Sequence, residues 1–370
     1  MTEVSPSQPT SPAGPSLLRR LFSAQESGLV IVIVLIMAAL TIYGGLKPTT
    51  QTVIDRETGQ VQRDEAGRPV RHEVNKFLNT RNLIQLANNA SFIAVMAVAM
   101  AAVIVTAGID LSVGSIYALA GILAGMVIQN MPPDSSALLA TGGLVVVACA
   151  AGAVLGLANG AMIVGFRLHP FIITLGTLSA YRGIALLTTK GQTVTGLPES
   201  IQQGVFKQDF GLGLVHPTNT LIMLLVAVAG WFVLTYTVFG RRVFAVGGNE
   251  TAARYAGVPV GRVKILVYTI MGAMAGLSAA MAVGYFGSAT TGAGQAYELR
   301  VIAAAVIGGA SLTGGRGTAF GAVLGAIVIE LINNAITILG IDNNYLLVVT
   351  GAAIIIAAVI DRLKQGFQAR

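Results

Sequence analysis

The chain has 370 residues, 54% of them hydrophobic and 11% charged, with a mean hydropathy of +0.75. That composition excludes an ordinary soluble globule and calls for several membrane-spanning segments. A net charge of +7 would suit nucleic acid, but the cations gather at the ends of apolar runs, as orientation in a bilayer requires. No nucleic-acid partner is expected.

Residues 1–27 open with Pro6, Pro9, Pro12 and Pro15 among Ser and Thr, the composition of a disordered tail, placed in the cytoplasm. Arg19 and Arg20 then precede the apolar run 28–46. A cleaved signal peptide is the rival reading; the length of the run and the lack of an A-x-A site favour a retained first helix. The polar stretch 47–76 repeats a turn pattern, with Asp55/Gly59 and Asp64/Gly67 as turn residues. It reads as a small hairpin on the outer face or as a solvated loop.

An amphipathic lead-in at 77–89 introduces the remaining apolar spans. These are 90–107, 113–129, 137–166, 170–188, 221–239, 265–285, 299–311, 318–339 and 345–360. With the first run they make ten crossings, an all-α polytopic domain over 28–361 with both termini, including the tail 362–370, in the cytoplasm. The short eighth span is expected to be tilted, broken or re-entrant. The basic residues of short connections fall mostly on the inner side under this count. VLGLANGA at 154–161 echoes VIELINNA at 328–335, in spans that run in opposite directions. That echo points to an inverted repeat relating spans 2–5 to spans 7–10.

Between spans six and seven lies the basic stretch 240–264, with five cations against Glu250. Asn249 and Glu250 open a short helix through Ala252, Ala253 and Arg254, which Gly257 and Pro259 stop. So short a helix is marginal alone, so a partner is expected to dock on it.

Charged and amide side chains inside the spans are the candidates for a solute pathway or for structural bonds. Asp110 and Ser112 either cap the following helix or touch solute. Glu330 finds its most plausible partner by type in Arg182, as an ion pair, or else faces the pathway. Glu298, at the start of the eighth span, joins this set. Asn159 and Asn333 suit sugar hydroxyls, although asparagines between membrane helices commonly bond one another. Cys149 reads as a small packing residue. His72, His169 and His216 are scattered, so no metal site is expected. The run Gly314-Gly315-Arg316-Gly317 lacks the Gly-Lys pair of a nucleotide loop, and no catalytic cluster suggests an enzyme.

Four stretches carry a resemblance: AGIDLSVGS (107–115), HPFIITLGTLSAYRG (169–183), AVGGNETAARYAGVPVGRVK (245–264) and YELRVIAAAVIGGASLTGGRG (297–317). In this order they resemble the sugar-type permease subunits of bacterial ABC importers, the ribose/xylose/galactose-like permeases, over about 77–361. The resemblance implies a location in the bacterial inner membrane and a dimer of permeases. It also implies separate ATPase subunits that bind the ATP, and a periplasmic binding protein that delivers a monosaccharide or related polyol. Residues 249–257 would then be the coupling helix. Two departures stand out: the long 47–76 insert, and Arg300 where many relatives carry an acid. An ion-coupled secondary transporter of a small polar solute is the alternative class; the lack of a proton-relay set of acids and histidines weighs against it.

Overall fold

The computed structural model describes residues 24–52, 61–132, 134–202, 204–207, 217–342 and 344–368. Most of the expected tail, and the turn expected at Asp55/Gly59, lie outside these residues. The first helix, α1 (Ala24–Leu46), leads into a two-stranded antiparallel hairpin, β1 (Thr49–Thr52) with β2 (Arg71–Val74). Asp64 makes the expected turn: its Oδ1 accepts the backbone N–H of Ala66 at 2.9 Å and of Arg68 at 2.8 Å. Gly67, at φ +74°, supplies the left-handed residue there. The hairpin is therefore formed, with its foot pinned where Lys76 Nζ donates to the Ile338 carbonyl at 2.6 Å.

Ten further α-helices of the described chain build the bundle. They are α2 (Thr80–Val105), α3 (Val113–Ile128), α4 (Ala137–Phe166), α5 (Pro170–Thr189), α7 (Thr218–Tyr236), α8 (Val238–Gly248), α10 (Val260–Phe286), α11 (Tyr297–Ile307), α12 (Ala319–Leu339) and α13 (Tyr345–Gln368). One-turn α6 (Glu199–Gln202) and short α9 (Glu250–Tyr255) complete the set. Local chemistry sets many starts. Ser136, His169, Asn249 and Thr318 each accept a backbone N–H at the mouth of α4, α5, α9 and α12.

Two expectations need correcting. The lead-in 77–89 is not a separate element, because from Thr80 it continues into α2 as one helix of 26 residues. The stretch 240–248, expected as loop, belongs to α8. Thr237 breaks the chain direction and caps the new helix by accepting the Gly240 N–H at 3.1 Å. Gly240, Gly247 and Gly248 hid this helix from a propensity reading.

Seven of these helices are long and apolar enough to cross a membrane: α1, α2, α4, α5, α7, α10 and α12. By contrast α3 and α11, with 16 and 11 residues, rise only about 24 Å and about 16 Å, short of a hydrocarbon layer of about 30 Å.

The centre is a close crossing of α4 and α10. Gly152, Gly156 and Gly160 on α4 face Gly272 and Gly276 on α10, so the backbones touch directly. A Cβ at Gly160 would lie 2.8 Å from Ile265 Cα. Around this pair α3 packs on α4, α5 and α10, and α11 packs on α2, α12 and α13. Helix α12 also lies along α2, and α2 is almost wholly buried from Ala90 to Val105.

Candidate functional site

Short helices α3 and α11 adjoin at their N-terminal ends. A Cβ at Gly294 would lie 2.5 Å from the Gly114 carbonyl oxygen and 2.9 Å from Tyr117 Cδ1. One at Gly114 would lie 2.7 Å from Glu298 Oε2, and the Tyr117 and Tyr297 rings are 5.2 Å apart. The chain entering each helix, 106–112 and 287–296, is not regularly helical. Within a membrane such backbone is tolerated only where protein satisfies it or it lines a cavity.

Arg182, part-way along α5, does much of this. Its Nη1 donates to the carbonyls of Thr291 at 2.6 Å and Ala293 at 2.7 Å, and Nη2 donates to that of Gly114 at 3.3 Å. One guanidinium thus ties the entry to α11 to the start of α3. On the other entry, the Tyr268 hydroxyl from α10 donates to the Ile109 carbonyl at 3.2 Å.

Asp110 sits fully buried beside this junction. Its Oδ1 accepts the Ser112 backbone N–H at 2.9 Å and the Ser112 hydroxyl at 2.6 Å. Ser112 therefore makes no helix-capping bond of its own. Instead its Oγ accepts from Asn159 Nδ2 at 2.8 Å, and the Tyr181 hydroxyl lies 3.1 Å from both Asn159 Oδ1 and the Leu155 carbonyl. The chain Asp110–Ser112–Asn159–Tyr181 joins α3, α4 and α5.

Glu330 lies in a separate polar seam between α2 and α12. Its Oε1 accepts from Asn89 Nδ2 at 3.2 Å and Asn333 Nδ2 at 3.1 Å. Nearby Asn82 and Asn334 exchange amide hydrogen bonds at 3.3 and 2.8 Å. The expected pairing of Glu330 with Arg182 does not form. Arg182 is on α5, which packs on α3 and α4, whereas Glu330 is on α12, which packs on α1, α2, α7, α11 and α13. The Arg300 guanidinium lies 5.7 Å from the Tyr297 ring centre.

At one end of the bundle, α9 forms where the residues led us to expect a helix. Asn249 Oδ1 accepts the Ala252 N–H at 2.9 Å, and Gly257 ends the turn at φ +81°. Glu250 bonds Arg254 at 3.1 Å and Lys264 at 2.7 Å, and the Lys264 ammonium holds the Glu250 carboxyl below its ordinary range. Ala253 is buried, while Tyr255 is 88% exposed. The helix is pinned on one face and offers an aromatic ring on the other.

Residues 82–358 match the family model described as "Branched-chain amino acid transport system / permease component". The chain belongs to this permease family. It is 40% identical over 289 residues to the ribose import permease protein RbsC of Bacillus subtilis, covering 78% of this chain and 87% of that one. It is 36% identical to the D-allose transport system permease protein AlsC of Escherichia coli, over 78% of this chain and 85% of the relative. The galactose/methyl galactoside import permease protein MglC of Escherichia coli is 35% identical, over 78% and 88%. No solved structure gives a significant match. The permease is thus a multi-pass membrane protein whose relatives are sugar import permeases.

Several residues of the permease's polar sites escape a reading of the sequence. Tyr181 lies beside Arg182 and Asn89 beside Asn88, and only helix packing shows what each of them reaches. Lys264, one of the five cations of 240–264, closes on Glu250 from fourteen residues away. Of the histidines, His169 caps α5 through Nδ1, 3.3 Å from the Phe171 N–H, and His72 lies in β2; His216 lies outside the described residues. Among the described residues no group of His, Cys, Asp and Glu is arranged to hold a metal.

Proposed function

We propose that this chain is the permease subunit of an ATP-binding cassette importer of the bacterial inner membrane, forming the pathway for a monosaccharide or related polyol. The observation that carries the reading is 33–40% identity over most of the chain to import permeases named for ribose, allose and galactose. Those names favour a sugar over the amino acid of the family description. Energy comes from a separate ATPase subunit, and a periplasmic binding protein delivers the solute to a pair of permeases. Nothing in the comparisons favours the ion-coupled alternative.

Helix α9 is the coupling element in this reading. Its residues Asn249, Glu250, Ala252, Ala253, Arg254 and Gly257 set a short rigid lever, and exposed Tyr255 gives a partner an aromatic anchor. In this reading the transmembrane count is ten, because α3 and α11 each complete a crossing together with the non-helical chain that enters it, 106–112 and 287–296; α13 joins the seven long helices, and both termini are in the cytoplasm. Support for an inverted repeat comes from the pattern of helix pairs. If α2–α5 correspond to α10–α13, the pairs α4/α10, α3/α4, α3/α5 and α3/α10 have counterparts in α12/α2, α11/α12, α11/α13 and α11/α2. Short α3 and α11 are then equivalent half-length helices meeting near the pathway. Glu298, Asp110, Glu330 and Asn333 are its candidate polar groups.

The test is uptake of ribose, allose and galactose in proteoliposomes holding the permease with its ATPase and binding protein. Uptake should require ATP hydrolysis and survive collapse of ion gradients. Uptake that follows a proton or sodium gradient without ATP would overturn the proposal.

A further inference from the structure

A groove of about 710 Å³ lies between the α4–α5 turn and the segment from α9 to the start of α10. Four cations line it, Arg167, Arg254, Arg262 and Lys264, against one carboxylate, Glu250. Glu250 is engaged by Arg254 and Lys264. Arg167 and Arg262 have no hydrogen-bond or ion-pair partner among the described residues.

The placement of these cations is not what local helix energetics favours. Arg262 stands in the first turn of α10, at the positive end of the helix dipole, where a cation is disfavoured. Arg167 ends α4 in the left-handed conformation, φ 56°, where glycine fits best. Topology signals account for basic residues at these helix ends, but not for their convergence on one groove. Convergence of uncompensated cations calls for an anion from outside the chain.

The surroundings say which kind. The groove opens at the ends of membrane-crossing helices α4, α5 and α10. Exposed apolar side chains flank it: Phe166, Leu168, Phe171 and Ile172. A cationic cavity beside a lipid-facing apolar shelf is complementary to an amphiphile with an anionic head. We propose that this groove binds the phosphate headgroup of an anionic phospholipid, with acyl chains along the α4–α5 shelf. Because Arg254 and Glu250 belong to α9, lipid in the groove would brace the lever from below.

The experiment uses the purified full-length permease and needs no ATPase, so its failure is distinct from failure of the transport reading. Native mass spectrometry measures retention of phosphatidylglycerol against phosphatidylcholine, supplied together in equal amounts. The wild-type chain should prefer phosphatidylglycerol. Arg167→Gln with Arg262→Gln should reduce that preference about thirtyfold, taking about 1 kcal/mol for each cation near the surface. Arg262→Lys, which keeps the charge, should retain most of it and controls for folding together with the thermal midpoint. Equal retention of both lipids by wild type, or an unchanged preference in the folded double variant, overturns the proposal. Displacement of the lipid by millimolar inorganic phosphate would make the site one for a free anion. Loss of ATPase association in the double variant with lipid preference intact would assign the groove to an acidic protein partner.

Discussion

Gly276 on α10 provides a sharp test of the central helix crossing. A methyl group there would lie 2.6 Å from the Ala148 carbonyl carbon and 2.9 Å from Cys149 Cα. Ordinary contact between carbon atoms is about 3.5–4.0 Å, so Gly276→Ala has to push α10 from α4 by about 1 Å. What it meets is backbone, which cannot rotate aside as a side chain does. Overpacking of this kind costs roughly 1–3 kcal/mol. The same change also gains helix propensity, about 0.5–1 kcal/mol, and that gain needs a control. Gly165, also helical, has nothing within 4 Å of an added Cβ. Gly165→Ala collects the propensity without the clash, so the difference between the two variants isolates the crossing. Thermal midpoints of both proteins, purified in one detergent and followed by loss of the monodisperse chromatographic peak, should differ by several degrees. Equal midpoints would refute the argument that direct backbone contact holds α4 to α10.

Other expectations follow from the polar sites. Arg182→Gln should lose about 1.5–3 kcal/mol of stability for its charge-assisted bonds to the 291–293 backbone, seen as faster hydrogen exchange at the α10–α11 linker; unchanged exchange there would contradict the clamp. Arg182→Ala and Glu330→Ala should be additive within about 0.5 kcal/mol, because the two residues share no partner; a double variant more stable than the sum would restore the ion pair. Gly257→Val should be made and inserted normally, since an added Cβ meets nothing within 4 Å, yet strain the left-handed end of α9 and reduce coupled ATP hydrolysis; full transport by this variant would remove the coupling role. Glu250 has a lowered pKa, so its bridges contribute above the ordinary value of 4.5 and are lost as pH falls below it. Because the carboxylate is 42% exposed, that contribution is only a few tenths of a kcal/mol, read as hydrogen-exchange protection in α9, relative to the intrinsic rate at each pH, that is flat down to about pH 5 and falls below it.

Composition and apolar run length alone determined that this is an all-α chain with several membrane spans, because a bilayer demands long uncharged segments whatever packs against them. Span 137–166 was legible to the residue, and so was α9, since Asn249, Gly257 and Pro259 act through bonds and torsions within a few residues of themselves. The Asp64–Gly67 turn was legible for the same local reason. What the tertiary structure decided is which polar groups meet. Arg182 and Glu330 matched by type, but charge alone carries no information about which helices lie side by side. Their real neighbours, the backbone at 291–293 and the asparagines of α2 and α12, follow from a packing order set by small residues such as Gly152, Gly156, Gly272 and Gly276. Those glycines look alike in the sequence. Only their facing positions in space reveal which of them bring two backbones together, because a helix presents its periodicity to every possible neighbour and the fold selects one.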